Sequence, residues 1–205
     1  MQVGGVWEGA MRAIALQRPL NRFVTVHWTS LGLRDGDAMR ATSHLLTAWR
    51  DWLRDRGSVW ACVWVRENDD GDGSKGSHLH VLVHVPEADR ATFNRATQRM
   101  ALKAADRQVG VTGAVLSRAV GSVGMETRSP ASYRANLAAA LAYMSKGAPL
   151  ALAGHMAGLA GNLAPEAVLN FSRFSQGGLV IGKRAGWSRD LFNASRRNQK
   201  PQFHW

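Results

Sequence analysis

His78 and His80 stand two residues apart in the run His78-Leu79-His80-Val81-Leu82-Val83-His84-Val85-Pro86. Side chains of an extended strand alternate between its two faces, so His78, His80, Leu82 and His84 share one face and Leu79, Val81, Val83 and Val85 the other. The apolar row belongs against a core. Two imidazoles are then left projecting together, and neutral ring nitrogens at that spacing can hold a divalent cation. A metal site needs a further ligand. Glu67 is the nearest candidate, because it ends the strand-like run before a glycine-rich loop, and a hairpin would return that end beside His78. A His/His/carboxylate set suits Mn²⁺ or Mg²⁺ in phosphate chemistry, and Zn²⁺ also accepts these ligand types. An isolated His-x-His also occurs as a pair of hydrogen-bonded structural residues, and Glu67 as a plain strand-end charge. His84, further along and next to Val85-Pro86, fits a supporting role better than a ligand's.

The chain has two tyrosines, and the second lies in Tyr143-Met144-Ser145-Lys146. On a helix a three-residue spacing sets the Cβ atoms of Tyr143 and Lys146 about 5–6 Å apart. A phenol, with an ordinary pKa of about 10, is a weak nucleophile at neutral pH, and a neighbouring ammonium and a polarised phosphate both favour its attack. The lysine would also stabilise charge developing on the phosphate. Tyr133, ten residues earlier, points away from Tyr143 by most of a quadrant and is the weaker candidate. A lone helix tyrosine also serves simply to pack against a sheet.

The elements that must position these residues are legible as patterns. Arg22 to Trp28 is rich in β-branched and aromatic residues and reads as a strand. From Asp37 to Arg56 the apolar residues recur at helical spacing, with Gly57 placed to stop the helix. Val59 to Arg66 reads as a second strand, Asn68 to Ser77 as a polar loop, and His78 to Val85 as a third strand ended by Pro86. Asp69, Asp70 and Asp72 in that loop resemble a fragment of a calcium loop, but lack its helices and closing glutamate. A basic helix over Ala88 to Arg107 and a weaker strand around Thr112 to Val123 follow. Ser129-Pro130 then opens a helix running to Lys146. Leu150 to Leu163 suggests another helix and Leu179-Val180-Ile181 a last strand. The order β-α-β-β-α-β predicts an α+β fold, a ferredoxin-like split βαβ antiparallel sheet with helices on one face and the other face free for the metal site.

At 205 residues the chain fits a single domain (1–205), with a core over roughly residues 21–148 and a basic C-terminal extension from about 149 to 205. Lys and Arg total 26 against 15 Asp and Glu, and the net charge of +11 points to a polyanionic partner, nucleic acid first. The single cysteine, Cys62, rules out an internal disulfide and favours a reducing compartment, the cytoplasm by default. The first seventeen residues lack a signal-peptide apolar region, and no run approaches the roughly 18–20 apolar residues that cross a bilayer. Neither export nor membrane insertion is expected.

Taken together, Glu67, the hairpin, His78-Leu79-His80 and the helix carrying Tyr143-Met144-Ser145-Lys146 resemble the HUH-superfamily replication initiators of rolling-circle plasmids and phages. The match spans Phe23 to Lys146, with Phe23-Val24-Thr25-Val26 in the place of the family's first strand motif. The resemblance implies that His78, His80 and Glu67 hold the metal and that Tyr143, beside Lys146, attacks a DNA phosphate. It further implies nicking of a single-stranded or hairpin origin, a 5′-phosphotyrosine link, a free 3′-hydroxyl for a polymerase, later rejoining, and no nucleotide cofactor. One Tyr-x-x-Lys without a second tyrosine a turn away looks like the one-tyrosine type. No Walker A motif is present, so a helicase would come from another protein.

In the C-terminal segment Lys183, Arg184, Arg189, Arg196 and Arg197 could grip a DNA backbone, or form a solvated tail. Trp28, Trp49, Trp52, Trp60 and Trp64 fall within predicted elements and read as core. A mobilisation relaxase or a HUH transposase would share the chemistry. A non-catalytic DNA-binding regulator would share only the sheet and the charge, and an RNA-binding module of this layout is disfavoured because its stacking aromatics are not evident.

Overall fold

The computed structural model of the chain describes residues 4–69, 76–121, 128–146, 153–163 and 180–191. Strands β1 (Arg22–His27), β2 (Cys62–Asp69), β3 (Gly76–Val83), β4 (Val115–Ala119) and β5 (Ala185–Trp187) form one sheet in the order β4-β1-β3-β2-β5, every neighbouring pair antiparallel. Helices are α1 (Gly4–Ala15), α2 (Asp35–Arg54), α3 (Arg90–Ala104), α4 (Pro130–Met144) and α5 (Ala153–Leu163). From β1 to β4 the path is β-α-β-β-α-β, and β3 lies between β1 and β2. The class is therefore α+β, built on a five-stranded antiparallel open sheet.

Alternation along the strands divides the core in two. Val24, Val26, Cys62, Trp64, Leu79, Val81 and Val83 face α2 and α3, where they pack with Leu45, Trp49, Leu53 and Phe93. The buried positions of α2, among them Ala38, Ala41, Leu45, Trp49 and Leu53, follow the three- and four-residue spacing of one helical stripe. Acidic Asp35 and Asp37 occupy its first turn, where the helix dipole favours them. Trp28, Trp49, Trp60 and Trp64 are buried in this half, and Trp52 packs against it.

The opposite face corrects the expectation of helices on one side only. Val63, Val65 and Leu82 project there and are covered by Val6, Trp7, Ala10 and Ala13 of α1, Leu137 and Leu141 of α4, and Met156 and Ala160 of α5. The open face would otherwise have left these apolar strand residues in water. Helix α1 crosses so near β5 that a Cβ on Gly9 would collide with the Trp187 ring.

The expected strand at Leu179-Val180-Ile181 is also corrected. Leu179 lies outside the described residues, and Val180 and Ile181 are not in a strand. The backbone groups of Ile181 are taken by side chains instead: its N–H donates to Asp35 Oδ2 (2.6 Å) and its carbonyl accepts from Arg66 Nη1 (2.8 Å). The last strand forms at Ala185–Trp187, on the outer edge of β2. Asp35 also accepts from Arg66 Nη2 (2.5 Å) and Ser77 Oγ (2.7 Å), so one carboxylate at the start of α2 fastens β2, β3 and the C-terminal segment. Among the described residues no helix is long and apolar enough to cross a membrane.

Candidate metal centre

The hairpin register sets the site. In the β2–β3 pair Glu67 lies opposite His78 and Val65 opposite His80, while in the β1–β3 pair His27 lies opposite His78 and Thr25 opposite His80. His27, His78 and Glu67 thus form one row across three strands, and Thr25 and His80 the next row on the same face.

Glu67, His78 and His80 are all buried, and each offers a ligand atom within 4.8 Å of the others. His78 Nε2 is 2.9 Å from Glu67 Oε2, and His80 Nε2 is 3.6 Å from the same oxygen, beyond hydrogen-bonding range. His80 Nε2 and Glu67 Oε1 are buried without a hydrogen-bond partner. Buried polar atoms are rarely left so, and two of them on converging residues fit a cation-binding set.

The outer nitrogens of both rings are already oriented. His78 Nδ1 donates to the Gly76 carbonyl (2.8 Å), and His80 Nδ1 is hydrogen-bonded to Thr25 Oγ1 (2.9 Å). A carbonyl only accepts, so the Nδ1 of His78 carries hydrogen and its Nε2 faces a carboxylate, which also only accepts. A cation, either a proton or a metal ion, must occupy that approach. Burial is the main influence on the His80 ring and lowers its pKa. The attraction of Glu67 opposes that shift, while the charges of His78 and Lys146 add to it. With Thr25 Oγ1 accepting from Nδ1–H, a neutral His80 ring would present its lone pair at Nε2, the arrangement a metal ligand needs.

Gly76 is the one position here where glycine is required. Its φ of +61° lies in the left-handed region, and a Cβ would collide with the Thr29 hydroxyl, which accepts from the Ser77 N–H at 2.8 Å. This turn aims the Gly76 carbonyl at His78.

Lys146 closes the group from the turn just after α4, its Nζ 3.0 Å from Glu67 Oε2. Burial works against the Glu67 anion, but the hydrogen bond from His78 and the attraction of the nearby His80 and Lys146 outweigh it and hold the carboxyl below its usual range. Burial likewise works against the Lys146 cation, and pairing with Glu67 and Tyr143 outweighs it, raising the lysine. Lys146 Nζ lies 4.4 Å from the centre of the Tyr143 ring.

The two tyrosines have opposite fates on α4. Tyr143 is 45% exposed and leans edge-on against His80 (centroids 5.2 Å apart) and Phe23 (6.1 Å). Tyr133 is 3% exposed, with its hydroxyl directed at the Leu20 carbonyl. His84 holds the Pro19 carbonyl through Nδ1 (2.8 Å), just beyond β3. It supports the entry to β1 and is not part of the ligand group.

Among the described residues, the C-terminal basic side chains Lys183, Arg184 and Arg189 do not join this cluster. Lys183 lies over the Trp64 ring, on the α2–α3 face of the sheet, and the Arg184 carbonyl accepts from the Arg66 N–H at the β2 edge. Arg189 is exposed at the end of that segment, and Arg196 and Arg197 lie outside the described residues.

Thr25 and Gly76 are parts of the site that the motifs did not single out, and His27 is a neighbour of it, its ring 5.7 Å from that of His78. Phe23, Thr25 and His27 alternate along β1, which is a usable signal, but the register that brings them beside His78 and His80 is not written in that strand. No family model, curated protein or solved structure matches the chain.

Proposed function

We propose that the chain is a metal-dependent endonuclease of the HUH type that nicks single-stranded DNA, acting in replication at an origin. The observation that carries this reading is the junction at Glu67. One carboxylate gathers His78, His80 and Lys146, and the exposed Tyr143 leans on one of those histidines. Residues 67, 78–80 and 143–146 come from two strands and from the end of a helix with the turn after it. The strand order and the β-α-β-β-α-β path agree with the ferredoxin-like arrangement.

The ligand set would hold Mn²⁺ or Mg²⁺, which supplies polarisation of a bound phosphate. Thr25 and Gly76 fix the rings so that both Nε2 atoms converge, and Lys146 keeps positive charge beside the Tyr143 phenol. In the proposed step Tyr143 Oη forms a bond to phosphorus and the P–O3′ bond breaks. The phenolic proton passes to solvent, and the departing 3′-oxygen takes a proton from water. The products are a 5′-phosphotyrosine and a free 3′-hydroxyl, which attacks back when strands are rejoined. A separate helicase and polymerase would use that 3′ end.

Incubation with Mn²⁺ and a labelled pool of single-stranded oligonucleotides of randomised sequence tests this. Wild type should acquire label that survives denaturation, and Tyr143→Phe should not, although its stability should stay within about 0.5 kcal/mol because the side chain is 45% exposed. DNA binding without label under every divalent metal would sink the enzyme reading and leave a DNA-binding regulator. Sequencing the attached DNA separates an origin from a transfer region or a terminal palindrome.

A further inference from the structure

Helices cover the site face only in part. Over β1 and β4 the face retains access: Leu116 on β4 is 38% exposed, opposite Thr25, and Phe23 and His27 on β1 are half-buried.

The order of groups along β1 gives this strip a direction. Tyr143 lies against Phe23 at one end, Thr25 is bonded to His80 in the middle, and the His27 ring lies 5.7 Å from that of His78 at the other end. Phe23 and His27 are four residues apart, about 13 Å of strand. Displacement at phosphorus sets the attacking and leaving oxygens on opposite sides. With Tyr143 attacking from the Phe23 end, the 3′-oxygen leaves toward the His27 end.

We infer that His27 and Leu116 form the seat for the nucleotide on the 5′ side of the cleaved phosphate, the one whose 3′-oxygen departs. They are diagonal neighbours across the β1–β4 pair, about 7–8 Å apart, with Thr25 as the floor between them. An imidazole face and a leucine side chain offer stacking and apolar contact that any base can use. His27 is in this account a positioning residue: it holds the product strand with its free 3′-hydroxyl in reach of the phosphotyrosine for rejoining. This inference rests on the nuclease reading for its direction, but binding at the seat does not require cleavage.

The probe is an oligothymidylate ending in a free 3′-hydroxyl, with a photoreactive 4-thiothymidine as its last residue, in EDTA at low salt. Wild type should bind it and crosslink through the segments around His27 and Leu116. His27→Ala and Leu116→Ser should each weaken binding about tenfold at equal salt, the scale of one lost base stack. The Mn²⁺ affinity of His27→Ala, measured by titration calorimetry, should match wild type. Failure of wild type to bind, unchanged affinity in both variants, or crosslinking elsewhere overturns the seat. A fall in Mn²⁺ affinity overturns it differently, by making His27 a ligand. None of these outcomes depends on the labelling of Tyr143, so the seat and the nuclease reading can fail separately.

Discussion

Replacing Asp35 by alanine tests how Glu67, His78 and His80 are held in place. The Arg66 side chain is fully buried and that of Asp35 is 8% exposed, so their 2.5 Å ion pair is screened little by water. Burial lowers the Arg66 pKa, and Asp35 is the group that opposes this. Asp35→Ala would leave the guanidinium with only the carbonyls of Asp35 and Ile181, and would strip Ser77 Oγ and the Ile181 N–H of their acceptor. Breaking a buried pair from one side costs about 3–5 kcal/mol, because the remaining charge is uncompensated. With a urea dependence of about 2 kcal/mol per molar, the unfolding midpoint should fall by roughly 2 M. Arg66 directly precedes Glu67 and Ser77 directly precedes His78, so Mn²⁺ affinity should fall as well in the variant still folded without denaturant. The double variant Asp35→Leu/Arg66→Met removes both charges and should recover at least half of the lost stability. A loss below about 1 kcal/mol in Asp35→Ala, or a double variant no more stable than the single one, would refute this account of the clamp.

Two further outcomes follow from the groups around His80. Thr25→Val keeps the shape and removes the partner of His80 Nδ1, so Mn²⁺ affinity by titration calorimetry should drop about 10–100-fold with little change in fold; an unchanged affinity would remove Thr25 from the site. Without metal, a native His80 pKa lowered by burial means that the unfolded chain binds the proton more readily, so stability present above about pH 6.5 should be lost as pH falls below it. His80→Gln should flatten that part of the urea-midpoint profile, and an equally steep profile in the variant would place the proton uptake elsewhere.

The elements carrying the site were legible because their periodicity is strong. The β3 run alternates cleanly, and Ser129-Pro130 marks the start of α4 with proline in its first turn. The His78–Glu67 pairing followed from hairpin geometry alone and is met in the register. The α1 helix was not legible. Gly4, Gly5 and Gly9 weaken its intrinsic helical signal, and it is held by Val6, Trp7, Ala10 and Ala13 docking on strands distant in sequence. The Asp35–Arg66 clamp joins residues 31 positions apart through a fully buried charge, and no local pattern announces such a pairing. Ile181 was misread for the same reason. Its apolar run suits a strand, yet its backbone bonds are made by side chains of α2 and β2.

The covering of the site face changes what the site can be. An uncovered sheet would expose His78, His80 and Glu67 to water, where a carboxylate and two imidazoles are well solvated and hold a cation less firmly. With α1 and α4 packed over the neighbouring apolar residues, all three ligands are buried and their charge is felt at lower effective dielectric. The same helix, α4, that seals the apolar part of the face leaves Tyr143 at the rim, and the turn at its end brings Lys146 to Glu67. Moving Tyr143 one position along α4 would rotate it by about 100° away from His80. The tyrosine's position follows from the packing of Leu137, Leu141 and Met144 on the sheet, as much as from the residues it touches.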